Sequence, residues 1–232
     1  MREEKHQAGL TFGGNLRAAI FGVSDGLVAN TSLILGVSGA LSDPRTVLVT
    51  GAAGLLSGAL SMAAGEYVSM RSQRELFEAQ IARQKEELAA HPQREMDDLA
   101  RIYHRRGLPL DTACKVSKAL SADLRSALET HAREELGLNP QDLGSPAGAA
   151  VSSFVSFALG AAVPLLPFVF GSGAYAVPVC MLLAAIGLVL VGAASARVTE
   201  QPVLRGGLRL LMVGGGAGLI AYGIGRLFGV AV

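Results

Sequence analysis

The chain has 232 residues, of which 50% are hydrophobic and 17% charged, with 29 glycines and a net charge of +1. That composition is too apolar for a soluble domain of this length, and a near-neutral balance without a basic, aromatic-interleaved stripe excludes nucleic acid as a partner. Charge is also segregated, because 25 of the 39 Asp, Glu, Lys and Arg residues fall between Arg71 and Asp142.

In chain order, the polar stretch Met1–Gly14 lacks the basic, apolar, small-residue order of a cleaved leader and is expected to be a short N-terminal segment, residues 1–15. Five apolar runs follow: Leu16–Leu41, Val47–Met70, Ala147–Phe170, Ala174–Ala196 and Leu208–Val230. About 20 apolar residues suffice for a helix to cross a hydrocarbon core about 30 Å thick. The predicted fold is therefore an all-α integral membrane protein in a lipid bilayer, with helices one and two in residues 16–70, a helical insert in 71–146, and helices three to five in 147–232.

Lys and Arg flanking a span bias that end to the cytosol. They cluster before span one (Arg2, Lys5, Arg17), after span two (Arg71, Arg74) and between spans four and five (Arg197, Arg205, Arg209), whereas the opposite connectors hold only Arg45. The N-terminus and the insert are thus expected in the cytosol and the C-terminus on the far side. Cys114 and Cys180 fall in segments of different depth, so no disulfide framework is expected.

An odd number of spans excludes two equal inverted halves in one chain, and five short helices leave little room for a pathway down their own middle. A homodimer with a pathway at its interface is the expectation. Gly54 with Gly58, and Gly214 with Gly218, fit the small-x-x-x-small pattern of close helix contact, which serves packing between chains or within one equally well.

No Gly or Pro interrupts Arg71–Ala90, so span two is expected to continue as one long helix and stop before Pro92. Further helices are predicted at Gln93–Arg106, Leu110–Ala119 and Ser121–Leu136, with Gly107 and Gly137 as C-terminal caps. Gln84 with Glu87, Glu95 with Asp98, and His131 with Glu135 are each three or four residues apart, so each pair shares a helix face. Antiparallel helices would gather them into a carboxylate-rich cluster with one imidazole. Carboxylates suit manganese, magnesium and calcium, whereas imidazole draws a site toward iron, zinc, copper or nickel. On a solvated surface the same acids would pair with neighbouring arginines, and spacing leaves both readings open.

Within the spans, Asp25 stands alone in the first and Glu66 in the second. A charged side chain at bilayer depth costs about 2.5–3.5 kcal/mol on insertion scales and normally faces a cavity, a partner or an ion path. Gly22 and Gly26, beside Asp25, leave room for water or a close second helix. Met62, Glu66 and Met70 recur every four residues along one face. Methionines alone would be packing; with a carboxylate among them they form a candidate path of soft and hard ligands.

The stretches FGVSDGLVANTSLILGVSGA (21–40) and SGALSMAAGEYVSMRSQRE (57–75), with five spans and an acidic insert after the second, resemble the vacuolar iron transporter family, which includes bacterial relatives. The resemblance covers the chain from Leu16. It implies a homodimeric exporter of Fe²⁺, and often Mn²⁺, driven by proton antiport. The metal would be bound substrate, with no prosthetic group. It places the pore aspartate on Asp25, the pore methionine on Met62, and the insert's iron-collecting carboxylates on Glu87, Glu95, Asp98 and Glu135. The plant-type pattern has a glutamate where this chain has Gln84, a methionine where it has His131, and a second pore carboxylate where it has Gly54; Glu66 is the candidate replacement for the last.

The implied route runs from the insert to a mouth near Glu66 and Met70, then past Met62 and Asp25. Asp25 would take a proton from the far side as the metal leaves. A manganese-selective exporter using the same path, and a membrane-anchored iron buffer or sensor that moves nothing, are the alternatives. No Ser/His/Asp arrangement, phosphate loop or H-E-x-x-H motif points to an enzyme. The Ala-, Gly- and Arg-rich usage points to a bacterial inner (cell) membrane as host.

Overall fold

The computed structural model describes residues 2–41, 43–171 and 173–230, with side chains from Ala19 onward except at 174 and 230. Residues 1 and 232, the outer bounds of the first and last expected segments, lie outside the described residues. The elements are α1 (Arg2–Ala40), α2 (Pro44–Ala90), α3 (Pro92–Arg105), α4 (Leu110–Leu120), α5 (Leu124–Glu134), α6 (Pro146–Ala162), α7 (Leu166–Val169), α8 (Ala176–Val198) and α9 (Val203–Val230), with single 3₁₀ turns at Val163–Leu165 and Gly173–Tyr175. There is no strand among the described residues. Five stretches are long and apolar enough to cross a membrane: Ala19–Ala40, Pro44–Ala90, Pro146–Val169, Ala176–Val198 and Val203–Gly229. The chain divides into two compact units, one made of residues up to Tyr67 with those from Ala147 on, the other of Val68–Pro146.

In the first unit, α1 packs against α8 and α9, and a stripe of its small residues meets α6. A Cβ at Gly26 would collide with the carbonyl oxygen of Phe157, and one at Gly160 with that of Val23. The two backbones therefore touch. Lipid tails are as apolar as leucine, so helices in a bilayer associate through such close packing rather than through a hydrophobic drive. Gly22 belongs to the same stripe, its added Cβ lying 2.8 Å from Ser156 Cβ. Of the two uses foreseen for the glycines beside Asp25, a close second helix is the one observed.

The small-x-x-x-small pairs also pack within this chain. Gly54 faces Leu33 and Asn30, Gly58 faces Phe157, Gly214 faces Leu188 and Val28, and Gly218 faces Leu35. An apolar core of Ile34, Val47, Leu165, Phe168, Ala176 and Cys180 closes the other end of the contact. Both cysteines are free, Cys180 buried and Cys114 exposed.

Span three, read from the sequence as one run, is broken. Pro164 and Pro167 cannot donate a backbone hydrogen bond, and the chain tightens to a 3₁₀ turn at Val163–Leu165 before the short α7. In a bilayer a freed carbonyl must be met by a neighbour. Beside the break, Asn30 Nδ2 donates to Ala161 O at 2.7 Å from a side chain only 2% exposed.

In the second unit, α2 ends at Ala90, Pro92 sits in the first turn of α3, and Gly107 (φ 101°) and Gly137 (φ 65°) follow α3 and α5 in the left-handed conformation that glycine adopts without strain. One boundary moves: α5 starts at Leu124, three residues after the predicted Ser121, because Asp123 caps it by accepting from Ser126 N at 3.1 Å.

Replacing Gly26 with Ala should lower the thermal midpoint of the purified protein, since overpacking against backbone costs about 1–3 kcal/mol. Gly216→Ala, whose Cβ would meet nothing within 4 Å, should leave the midpoint unchanged or raise it.

Candidate metal centre

Three helical segments of the insert supply the site: the end of α2 carries Gln84, the first turn of α3 carries Glu95, and the last turn of α5 carries His131, with Glu135 at its C-cap. Gln84, Glu95 and His131 are 6%, 7% and 0% exposed. His131 Nδ1 lies 3.0 Å from Glu135 Oε1 and 3.8 Å from Glu95 Oε2. Gln84 Nε2 donates to Glu95 Oε2 at 2.8 Å and stands 3.4 Å from His131 Nδ1. One ligand atom each from Glu95, His131 and Glu135 falls within 4.8 Å of the others, a spacing that could hold a metal ion.

The electrostatics are those of a site short of positive charge. Burial pushes the Glu95 carboxyl above the ordinary glutamate range; repulsion from Glu135 and Glu87 adds to this, while His131 and the Gln84 hydrogen bond oppose it. The other ring nitrogen, His131 Nε2, is buried with no hydrogen-bond partner among the described residues. A buried polar atom left unpaired costs about 1–3 kcal/mol, and such atoms in native structures point to function or strain.

The remaining acids of the insert behave differently. Asp98, expected to point with Glu95, instead pairs with Arg101 and approaches Arg94 at 3.9 Å. Glu87 is exposed and acts on Glu95 through its charge. Both still line a cavity of about 870 Å³ together with Glu95, Glu134 and Glu135. Glu134 forms an ion pair with Arg106 and accepts from Tyr103 Oη at 3.3 Å. Burial and the neighbouring Glu134 push the Tyr103 phenol up. This clasp ties α3 to α5 beside the triad, and no spacing rule links residues so far apart in sequence.

In the membrane unit, Asp25 is exposed on α1 and shares its outward stripe with Phe21 and Leu33, which are 64% and 38% exposed. Met62 is half-buried beside the cluster of Ala59, Phe157 and Ala161, with its methyl 3.6 Å from a Cβ built on Gly22. Glu66 is half-buried. The arginines that follow it pair along α2 instead, Arg71 with Glu75 at 2.7 Å and Arg74 with Glu78 at 2.8 Å. Met70 lies in the other unit, its methyl 2.8 Å from a Cβ built on Gly144, so it packs against the segment between α5 and α6. A Cβ at Gly54 would meet a Leu33 methyl and lie 3.0 Å from Asn30 Oδ1, leaving little room for a carboxylate without repacking.

The VIT family model matches residues 16–226. The chain belongs to the VIT family. A protein named "Vacuolar iron transporter" from Acanthamoeba castellanii is 33% identical over 97% of this chain and 82% of its own length. "Vacuolar iron transporter homolog 1" from Oryza sativa subsp. japonica is 36% identical over 93% and 74%, and "Vacuolar iron transporter 1" from Arabidopsis thaliana is 30% identical over 97% and 89%. These relatives bear the names of transporters, and the VIT chain is a membrane protein and not an enzyme.

The raised Glu95 carboxyl gives this VIT chain a pH signature. Between the ordinary glutamate range and the raised value, the folded state holds a proton that the unfolded state has released, so acid favours folding there. That contribution is present below the ordinary range and lost as pH rises through the raised value. With a chelator present, the thermal midpoint should fall with rising pH across that window, and Glu95→Gln should remove the dependence.

Proposed function

We propose that this chain carries Fe²⁺ out of the cytosol in exchange for protons, as a homodimer with its pathway at the interface. The observation that carries the reading is the Glu95–His131–Glu135 set, with Glu95 and His131 buried and Glu135 exposed at its rim, a borderline nitrogen with two carboxylates on the polar insert of a membrane protein. Imidazole with carboxylates suits ferrous iron better than a purely oxygen set does, and the relatives' printed names agree. A cation would sit between His131 Nδ1 and the two carboxylates. The Gln84 amide need only turn over to present its oxygen as a further donor, and Glu87 lines the same cavity, where Asp98 is paired with Arg101.

From the insert the ion passes Glu66 and Met70, then Met62 and Asp25. The exposure of Asp25 on a spanning helix supports a second copy of the chain, because an uncovered carboxylate facing lipid is costly. Two copies would present two Asp25 carboxylates to one path. Protonating them weakens their hold on the cation, which is the coupling that antiport requires, and Glu66 supplies the further carboxylate that Gly54 lacks. The distribution of arginines supports a bacterial inner membrane orientation with the N-terminus and insert in the cytosol and the C-terminus on the far side.

Manganese is the second reading, favoured by carboxylates outnumbering the single imidazole. Two experiments check the account. Asp25→Ala should abolish Fe²⁺ uptake into proteoliposomes while leaving metal binding by the full-length protein intact. His131→Ala with Glu135→Ala should weaken that binding by about 100-fold or more, since even partners behind metal ligands are worth about 10–100-fold. An excess of Mn²⁺ that fails to slow Fe²⁺ uptake would exclude the manganese reading, and Asp25→Ala transport at the parent rate would exclude this path.

A further inference from the structure

The membrane unit contains a second feature that transport leaves unused, a cleft of about 740 Å³ between α1, α8 and α9. Its origin is a close helix crossing. A Cβ at Gly192 would lie 2.5 Å from Gly206 O and 2.9 Å from Gly207 Cα, so α8 and α9 meet backbone to backbone. The missing side chains leave an open front, which α1 walls with Ile20 and Phe21 and α9 with Leu210 and Val213. The volume falls within the range of about 300–1,000 Å³ typical of sites for small organic ligands.

One charged residue lines this apolar cleft, Arg209. It makes no ion pair among the described residues and is exposed. The cleft lies where α1 begins its span and α8 ends its own, beside a connector that carries Arg197 and Arg205 with Arg209 against Glu200 alone. An apolar slot opening on an unpaired guanidinium at the edge of the hydrocarbon matches a molecule with an apolar tail and an anionic head. A guanidinium offers five N–H donors in a fork that fits phosphate.

We propose that this cleft binds an anionic phospholipid, one acyl chain lying between α1 and α9 and the phosphate held by Arg209. Basic residues at a membrane surface attract anionic lipid, and loss of one such contact weakens retention by about fivefold.

The test is native mass spectrometry of the full-length protein taken from bilayers of equal phosphatidylglycerol and phosphatidylcholine. Preferential retention of phosphatidylglycerol is expected, reduced about fivefold by Arg209→Gln and by Ser195→Leu, which fills the cleft, and unchanged by Arg205→Gln, which removes the same charge outside it. Thermal midpoints of the three variants report whether each is folded, and Arg209→Gln at the surface carries the result if Ser195→Leu is not. Equal retention of the two lipids, equal loss in Arg205→Gln and Arg209→Gln, displacement of lipid by millimolar inorganic phosphate, or a change of oligomeric state in Arg209→Gln without loss of lipid would each overturn the proposal.

Discussion

A hydrocarbon core supplies no water, so every backbone group inside it must be paired within the protein and every charge must be covered or used. In this chain the constraint falls hardest on α1. Its stripe of Gly22, Gly26 and Asn30 gives the backbone contact with α6 and a hydrogen bond to Ala161 O beside the break in span three. With that face committed to packing, the rotation of α1 is set by backbone contacts that tolerate no added methyl. Asp25 is thereby carried on a different face, with Phe21 and Leu33. The position of the one charged group in the first span is a consequence of how its glycines pack.

The insert solves the opposite problem. Among its many exposed charged residues, Glu95 and His131 are withdrawn from the surface. Burial and neighbouring carboxylates raise the Glu95 carboxyl, and the second nitrogen of the imidazole is unpaired, so the cluster carries a cost. Gln84 moderates this cost, since its amide donates to Glu95 where another carboxylate would add repulsion. The Arg106–Glu134–Tyr103 clasp holds α3 and α5 beside the cluster without entering it.

The five spans were legible because a soluble fold seldom has use for so long an apolar run, and the insert helices because Pro92, Gly107 and Gly137 punctuate them. His131 with Glu135 was legible from their four-residue spacing. The meeting of that pair with Glu95 was not, since it depends on how three helices pack, and spacing alone did not show that Asp98 pairs with an arginine. Arg101, three residues on, pairs with Asp98. The break in span three was written in Pro164 and Pro167 but masked by the apolar run around them. The role of the paired glycines was illegible in principle, because small residues admit a close neighbour without saying which chain supplies it.

The central claim is that a carboxylate within the membrane exchanges a metal ion for a proton. It is tested most directly by recording metal entry and lumenal pH together in proteoliposomes whose protein faces outward with its insert. Fe²⁺ added outside should enter while the lumen becomes more alkaline, the two signals rising in a fixed ratio. Metal entry with a constant lumenal pH would contradict the account.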